Sequence, residues 1–256
     1  MESFDSLDRA RARCRLYGLL ALALSEPSAD TWPMLRNPLR LKHGREAAAK
    51  LGDGLGAAFK DYQQDLGAAA LSDLRTAHGE LFGHTLRGSV PPYEEEYGER
   101  EIARMSSELA DLCGFYEAFG MSVDPEAHER GDHITAELEF MAFLCAKQIE
   151  AASAARQDLE HLAIVRDAQR KFLRDHLACW GLAYARRLAT TPATSAVYAA
   201  AGRLLEAFLR DECARLTVQP GATFLPLRKV PEAETMIAQM SCGAAAGPPG
   251  CADGEA

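Results

Sequence analysis

The sequence predicts an all-α protein, a single globular helical bundle, and three observations carry that prediction. Apolar residues recur at spacings of three and four over most of the chain, the period of one helix face. Prolines and a glycine cluster punctuate those stretches, at Pro27, Gly52 to Gly56 and Pro192. No segment shows sustained period-2 alternation bounded by turn residues, so no sheet is expected.

Residues 7 to 24 read as a first helix, with Leu7, Cys14, Tyr17, Leu20, Leu22 and Leu24 among its apolar positions; Ser25-Glu26-Pro27-Ser28 stops it. Trp32-Pro33 through Pro38-Leu39 reads as a short irregular segment. A helical region follows over about 44 to 81, interrupted by Gly52-Asp53-Gly54-Leu55-Gly56. That cluster is a helix break rather than a phosphate loop, because no strand precedes it and no Gly-Lys-Ser/Thr follows. Two prolines then force an extended approach to Pro92-Tyr93-Glu94-Glu95-Glu96-Tyr97-Gly98, where two tyrosines and three acids are presented together.

Residues 99 to 119 form the next predicted helix, and Gly120 stands where a C-terminal capping glycine belongs. The loop 121 to 131 leads into a helix over about 132 to 152, with Ile134, Leu138, Met141 and Cys145 on one face. Asp132 is placed to cap it, and His133 falls in its first turn, one turn before Glu137. A long helical stretch spans roughly 157 to 189, Thr191-Pro192 punctuates it, and a last helix covers about 193 to 217. The bundle is therefore assigned to residues 1–218. Residues 219–256, rich in Pro, Gly and Ala without a usable period, read as an extended, largely disordered tail.

Composition narrows the function classes. With 256 residues the chain can bury a full-sized core, and its net charge of −9 argues against nucleic acid or an anionic membrane as main partner. A basic peptide is the better match. No apolar run approaches the roughly 18 to 20 residues that cross a bilayer, and the acidic N-terminus is unlike a secretory signal, so a cytoplasmic protein is expected. Seven cysteines, five of them single within helical patterns, make a disulfide framework unlikely.

Chemistry-bearing patterns are sparse. His133 and Glu137 stand at metal-pair spacing, yet this face offers no second histidine, and a metal-dependent hydrolase stays the weaker alternative. Cys242 and Cys251 lack a tight Cys-x-x-Cys spacing and read as tail thiols. There is no Gly-x-Ser-x-Gly elbow and no cysteine in an electropositive loop with a base. No catalytic residue, cofactor or metal site is assigned.

Pro92 to Tyr97, then Glu129 to His133, then Ile134-Thr135-Ala136-Glu137-Leu138-Glu139-Phe140-Met141, then Phe172-Leu173-Arg174-Asp175-His176-Leu177-Ala178-Cys179-Trp180 resemble, in that order, the TorD/DmsD/NarJ family. The resemblance covers about residues 10 to 217, and the Pro-Tyr-Glu-x-Glu-Tyr-Gly version looks most like the branch serving type II DMSO reductase-like enzymes. It implies an all-helical cytoplasmic chaperone, not an enzyme, for the apo catalytic subunit of a molybdopterin oxidoreductase. Such a chaperone assists cofactor insertion and delays export until the enzyme is mature. It also implies that Pro92, Tyr93 and Tyr97 in one loop, and Glu129, Asp132 and His133 in the other, belong to the surface that recognises the partner, often through its twin-arginine signal peptide. The family usually carries a proline near the Asp-His pair, where this chain has Arg130 and Gly131. A groove of Tyr93, Tyr97 and the carboxylates Glu94, Glu96, Glu129 and Asp132 would suit the basic and apolar parts of such a leader. An all-α assembly factor for an enzyme that is never exported is the alternative within the same class. The protein is expected as a monomer or, through hinge loops such as 120 to 131, a domain-swapped dimer.

Overall fold

A computed structural model describes residues 4–83, 87–98, 102–122, 130–153, 158–192 and 195–229. Its helices, in order, are α1 (Phe4–Leu24), α2 (Thr31–Leu35), α3 (Pro38–Leu51), α4 (Asp53–Ala68), α5 (Leu71–Phe82), α6 (Ile102–Ala118), α7 (Ile134–Ser153), α8 (Leu159–Phe172), α9 (Ala178–Thr190) and α10 (Ala196–Leu216). Among the described residues there is no strand; three isolated β-bridges stand in for a sheet. The fold is all-α, as the periodicity predicts.

α1 lies at the centre. Its fully buried Leu16, Tyr17, Leu20 and Leu24 recur at the spacing that lines one face, and the helix packs chiefly on α7 and α3. α10 packs on α9 and α4, and α8 covers α7. Aromatic pairs join these layers, with Tyr17 edge-on to Phe208 at 4.6 Å and Phe140 to Phe172 at 4.7 Å between ring centroids. Each such side chain removed from water contributes about 2–3 kcal/mol.

One ionic group sits inside this apolar frame. Arg13 of α1 donates to both carboxylate oxygens of Glu212 on α10, at 2.7 Å from Nε to Oε1 and 2.7 Å from Nη2 to Oε2. Tyr17 Oη donates to the same carboxylate at 2.8 Å. Arg13 Nη1 also reaches Gln148 Oε1 at 3.3 Å, and Gln169 Nε2 donates to that oxygen at 3.1 Å, so four helices meet at one hydrogen-bonded network. Such a pair fixes register, because removing either partner strips the other of its hydrogen-bonded counter-charge, leaving Glu212 only the longer 3.6 Å contact to Arg215.

Three boundaries differ from the expectation. The segment 32–39 is not irregular: α2 forms there, and α3 starts at Pro38, with Asn37 Oδ1 accepting from the Leu39 and Arg40 amides at 3.0 Å each. Asn followed by Pro is a cap and first helical residue, since Pro lacks the amide that would go unsatisfied. The helical region expected over 44–81 breaks at Gly52, as its glycine cluster predicts, but also at Ala69–Ala70, which are extended. The helix expected over 157–189 is interrupted by a π-turn at Leu173–Leu177.

The chain also returns beyond the bundle. Residues 218–229 follow α10 without regular secondary structure; Leu227 pairs with Tyr97, Gly98 N–H donates to Pro226 O at 2.8 Å, and Arg228 N–H donates to Glu96 O at 2.9 Å. The first part of the expected tail is thus bound as a strap; residues 230–256, with Cys242 and Cys251, lie outside the described residues.

Candidate functional site

The Pro-Tyr loop and the turn before α7 form one structure. Ile134 N–H donates to Pro92 O at 2.8 Å and Glu94 N–H to Asp132 O at 3.0 Å, with an antiparallel bridge between Tyr93 and His133. The Asp132 side chain adds a third tie by accepting from Glu95 N–H at 3.3 Å. Residues 130–133 close a turn in which His133 N–H donates to Arg130 O at 3.1 Å, and Tyr116 Oη of α6 donates to Gly131 O at 2.8 Å. The short 3-10 turn at Glu94–Glu96 carries the acidic run.

This arrangement corrects the assignment of the α7 cap. Asp132 directs its carboxylate to Arg130 and the Glu95 amide, not to the helix. His133 takes the capping place: its Nδ1 accepts from Thr135 N–H at 3.2 Å and lies 2.6 Å from Thr135 Oγ1. An accepting Nδ1 places the imidazole proton on Nε2 and keeps the ring neutral. Burial, with His78 nearby, pushes its pKa down to about 4. Burial also raises the Asp132 carboxyl, against the pull of Arg130 and the Glu95 amide, which lower it.

The acids and tyrosines divide into an inner and an outer set. Glu94 is buried, and its Oε2 lies 3.3 Å from His176 Nδ1, on the π-turn. Tyr97 is fully buried, with its ring 5.3 Å from that of Trp180 and 6.3 Å from that of Tyr184. It cannot line the groove expected of it, because aromatic packing on α9 holds it inward. Pro92, Asp132 and His133 are buried as well. Tyr93, Glu95 and Glu96 keep partial exposure, and Glu96 is held by Arg87 at 2.7 Å and Arg228 at 3.5 Å. Glu129, the remaining expected site residue, lies outside the described residues.

Several contributors escape a reading of the sequence. Arg130 makes a fork onto Asp132, Trp180 Nε1 donates to Glu137 Oε1 at 3.0 Å, and His176 braces Glu94. The Arg-x-Asp spacing is the available signal for the first; nothing local signals the others, whose partners lie 43 and 82 residues apart. Glu137 is buried in its bond to Trp180, and His133 Nδ1 lies against Thr135. Among the described residues no group of three or more His, Cys, Asp or Glu is placed to hold a metal ion. No helix there is long and apolar enough to cross a membrane.

Residues 48–185, more than half of the chain, match the family described as nitrate reductase delta subunit. The chain belongs to that family. The matched span contains both loops of the site and the π-turn behind them. Among named relatives, the perchlorate reductase assembly chaperone protein of Dechloromonas aromatica is 31% identical over 69% of this chain and 77% of its own. The selenate reductase assembly chaperone protein of Thauera selenatis is 39% identical over 39% of this chain and 50% of its own. The chaperone protein TorD of Vibrio cholerae is 30% identical over 52% and 57%. This delta-family chain therefore spans about half the length of the last two.

Proposed function

We propose that this protein is a system-specific chaperone of a molybdoenzyme catalytic subunit of the type II DMSO reductase-like group. In this reading it is cytoplasmic, holds the apoprotein while the molybdopterin cofactor is inserted, and delays export by engaging the twin-arginine leader. It binds and releases rather than making or breaking bonds.

The observation that supports this most directly is the fusion of the Pro-Tyr loop with the Arg130–His133 turn, in a chain whose relatives carry the names of reductase assembly chaperones. The joined loops offer an acidic and aromatic patch, which complements a leader that is basic at one end and apolar beyond it. The inner residues Glu94, Tyr97 and His133 position this patch, and Tyr93, Glu95 and Asp132 supply its chemistry.

Calorimetric titration with a synthetic twin-arginine leader of a type II DMSO reductase-like catalytic subunit tests the reading. Asp132→Asn and Tyr93→Ala should each weaken binding by about tenfold, the effect of losing roughly 1.4 kcal/mol of a charge-assisted or aromatic contact. No heat of binding with the wild type would remove leader recognition and leave an assembly factor that grips the apoprotein elsewhere.

A further inference from the structure

Arg130 stands in the acidic patch, and its surroundings are those of a bound ligand. Its Nε lies 2.9 Å from Asp132 Oδ1 and its Nη2 2.9 Å from Asp132 Oδ2, a two-pronged fork onto one carboxylate. Nη2 also pairs with Glu95 Oε2. The guanidinium carbon stands 5.2 Å from the centroid of the Tyr93 ring, within cation–π range. Two carboxylates and an aromatic face thus converge on a single head group.

Burial is unequal across this contact. The Asp132 side chain is 2% exposed and Glu95 12%, whereas Arg130 is 43% exposed. The carboxylate is fixed by the Glu95 amide and by the bridge between its turn and the Pro-Tyr loop, while the Arg130 side chain stays partly open to solvent. Receptor and ligand are built with different stiffness.

We infer that Tyr93, Glu95 and Asp132 form a guanidinium-binding site, and that Arg130 occupies it as an internal stand-in which an arginine of the partner's peptide must displace. That the displacing arginine comes from a leader rests on the function proposed above; the site itself does not. Asp132 is too buried to stand unpaired, so the site exchanges one guanidinium for another and is not left empty. The incoming arginine largely repeats the hydrogen bonds that Arg130 gives up. Binding is weaker than the same site would give if vacant, and release is correspondingly easy. If Arg130 fills the site about nine-tenths of the time, the apparent affinity for an arginine peptide is about a tenth of the intrinsic one.

The test uses the full chain with Arg130→Ala and Arg130→Lys, the second keeping a cation near Asp132 without the fork. N-acetyl-arginine methylamide is titrated into each, and thermal stability is measured with millimolar methylguanidinium against methylammonium at equal ionic strength. Both variants should bind the arginine amide about tenfold tighter than wild type, and methylguanidinium alone should raise their melting temperatures while leaving wild type unmoved. Equal affinity in wild type and in the folded variants, or no preference for methylguanidinium over methylammonium, would overturn the inference. A leader that fails to bind wild type while the small guanidinium compounds behave as expected would sink the leader reading and leave the site standing.

Discussion

Lowering the pH from about 7 to about 5 should destabilise this protein by about 2 kcal/mol through His133 alone. The imidazole is buried against Tyr93 and the first turn of α7, and its pKa stands at about 4 against an ordinary 6.5. Between those values the unfolded chain binds a proton that the folded one refuses. The stability held in the neutral ring is therefore complete above about pH 7 and is withdrawn as the pH falls through about 6.5 toward about 4. Over the whole window the gap of about 2.5 units amounts to about 3 kcal/mol, and at about pH 5, where the unfolded imidazole is about 97% charged, about two-thirds of it is gone. Urea unfolding of wild type and His133→Asn at several values across this range measures the effect. Asparagine keeps an acceptor for the Thr135 amide while removing the titration, and the contributions of the other histidines cancel in the difference. Wild type should lose about 2 kcal/mol more than the variant, equivalent to roughly 4–8 °C in melting temperature. Parallel losses in the two proteins would mean that His133 is not held neutral by burial.

Two further predictions concern the frame that carries the site. Arg13→Met should cost about 3–5 kcal/mol by leaving buried Glu212 only the 3.6 Å contact to Arg215, whereas the double change Arg13→Met/Glu212→Leu should recover most of that loss in denaturant titrations. Gly202→Ala should lower stability by roughly 1–3 kcal/mol, read as a shift in the urea midpoint, because a Cβ there would stand 2.7 Å from Ala185 O and force α9 and α10 apart.

The helical class is legible because packing faces leave a period in the sequence, and α4, α8 and α9 carry it most plainly. Boundaries are legible only where the chain marks them chemically. Gly52 announces a break, while Ala69–Ala70, two good helix formers, give no warning of theirs. The π-turn at Leu173–Leu177 is invisible for a related reason: one extra residue in a single turn barely disturbs a 3.6-residue pattern. At the site, sequence order puts Pro92, Tyr93, Asp132 and His133 in two loops without saying that they bond to one another. The exchange of roles between Asp132 and His133 follows from that pairing, since the partner loop's amide at Glu95 and the guanidinium of Arg130 compete successfully for the carboxylate. Tyr97 is misplaced by its sequence neighbours, which are acids, while its neighbours in space are Trp180 and Tyr184.

The strap over residues 218–229 gives the site a place in time as well as in space. The Pro-Tyr loop is held on one side by the turn before α7 and on the other by Leu227 and Arg228, which are among the last described residues of the chain. During synthesis the bundle helices can collapse as they leave the ribosome, but the loop gains its second support only after residue 228 has cleared the exit tunnel. A half-made copy therefore has a core while its Pro-Tyr loop still lacks this second support. Trimming the chain at the end of α10 would freeze it in that immature condition.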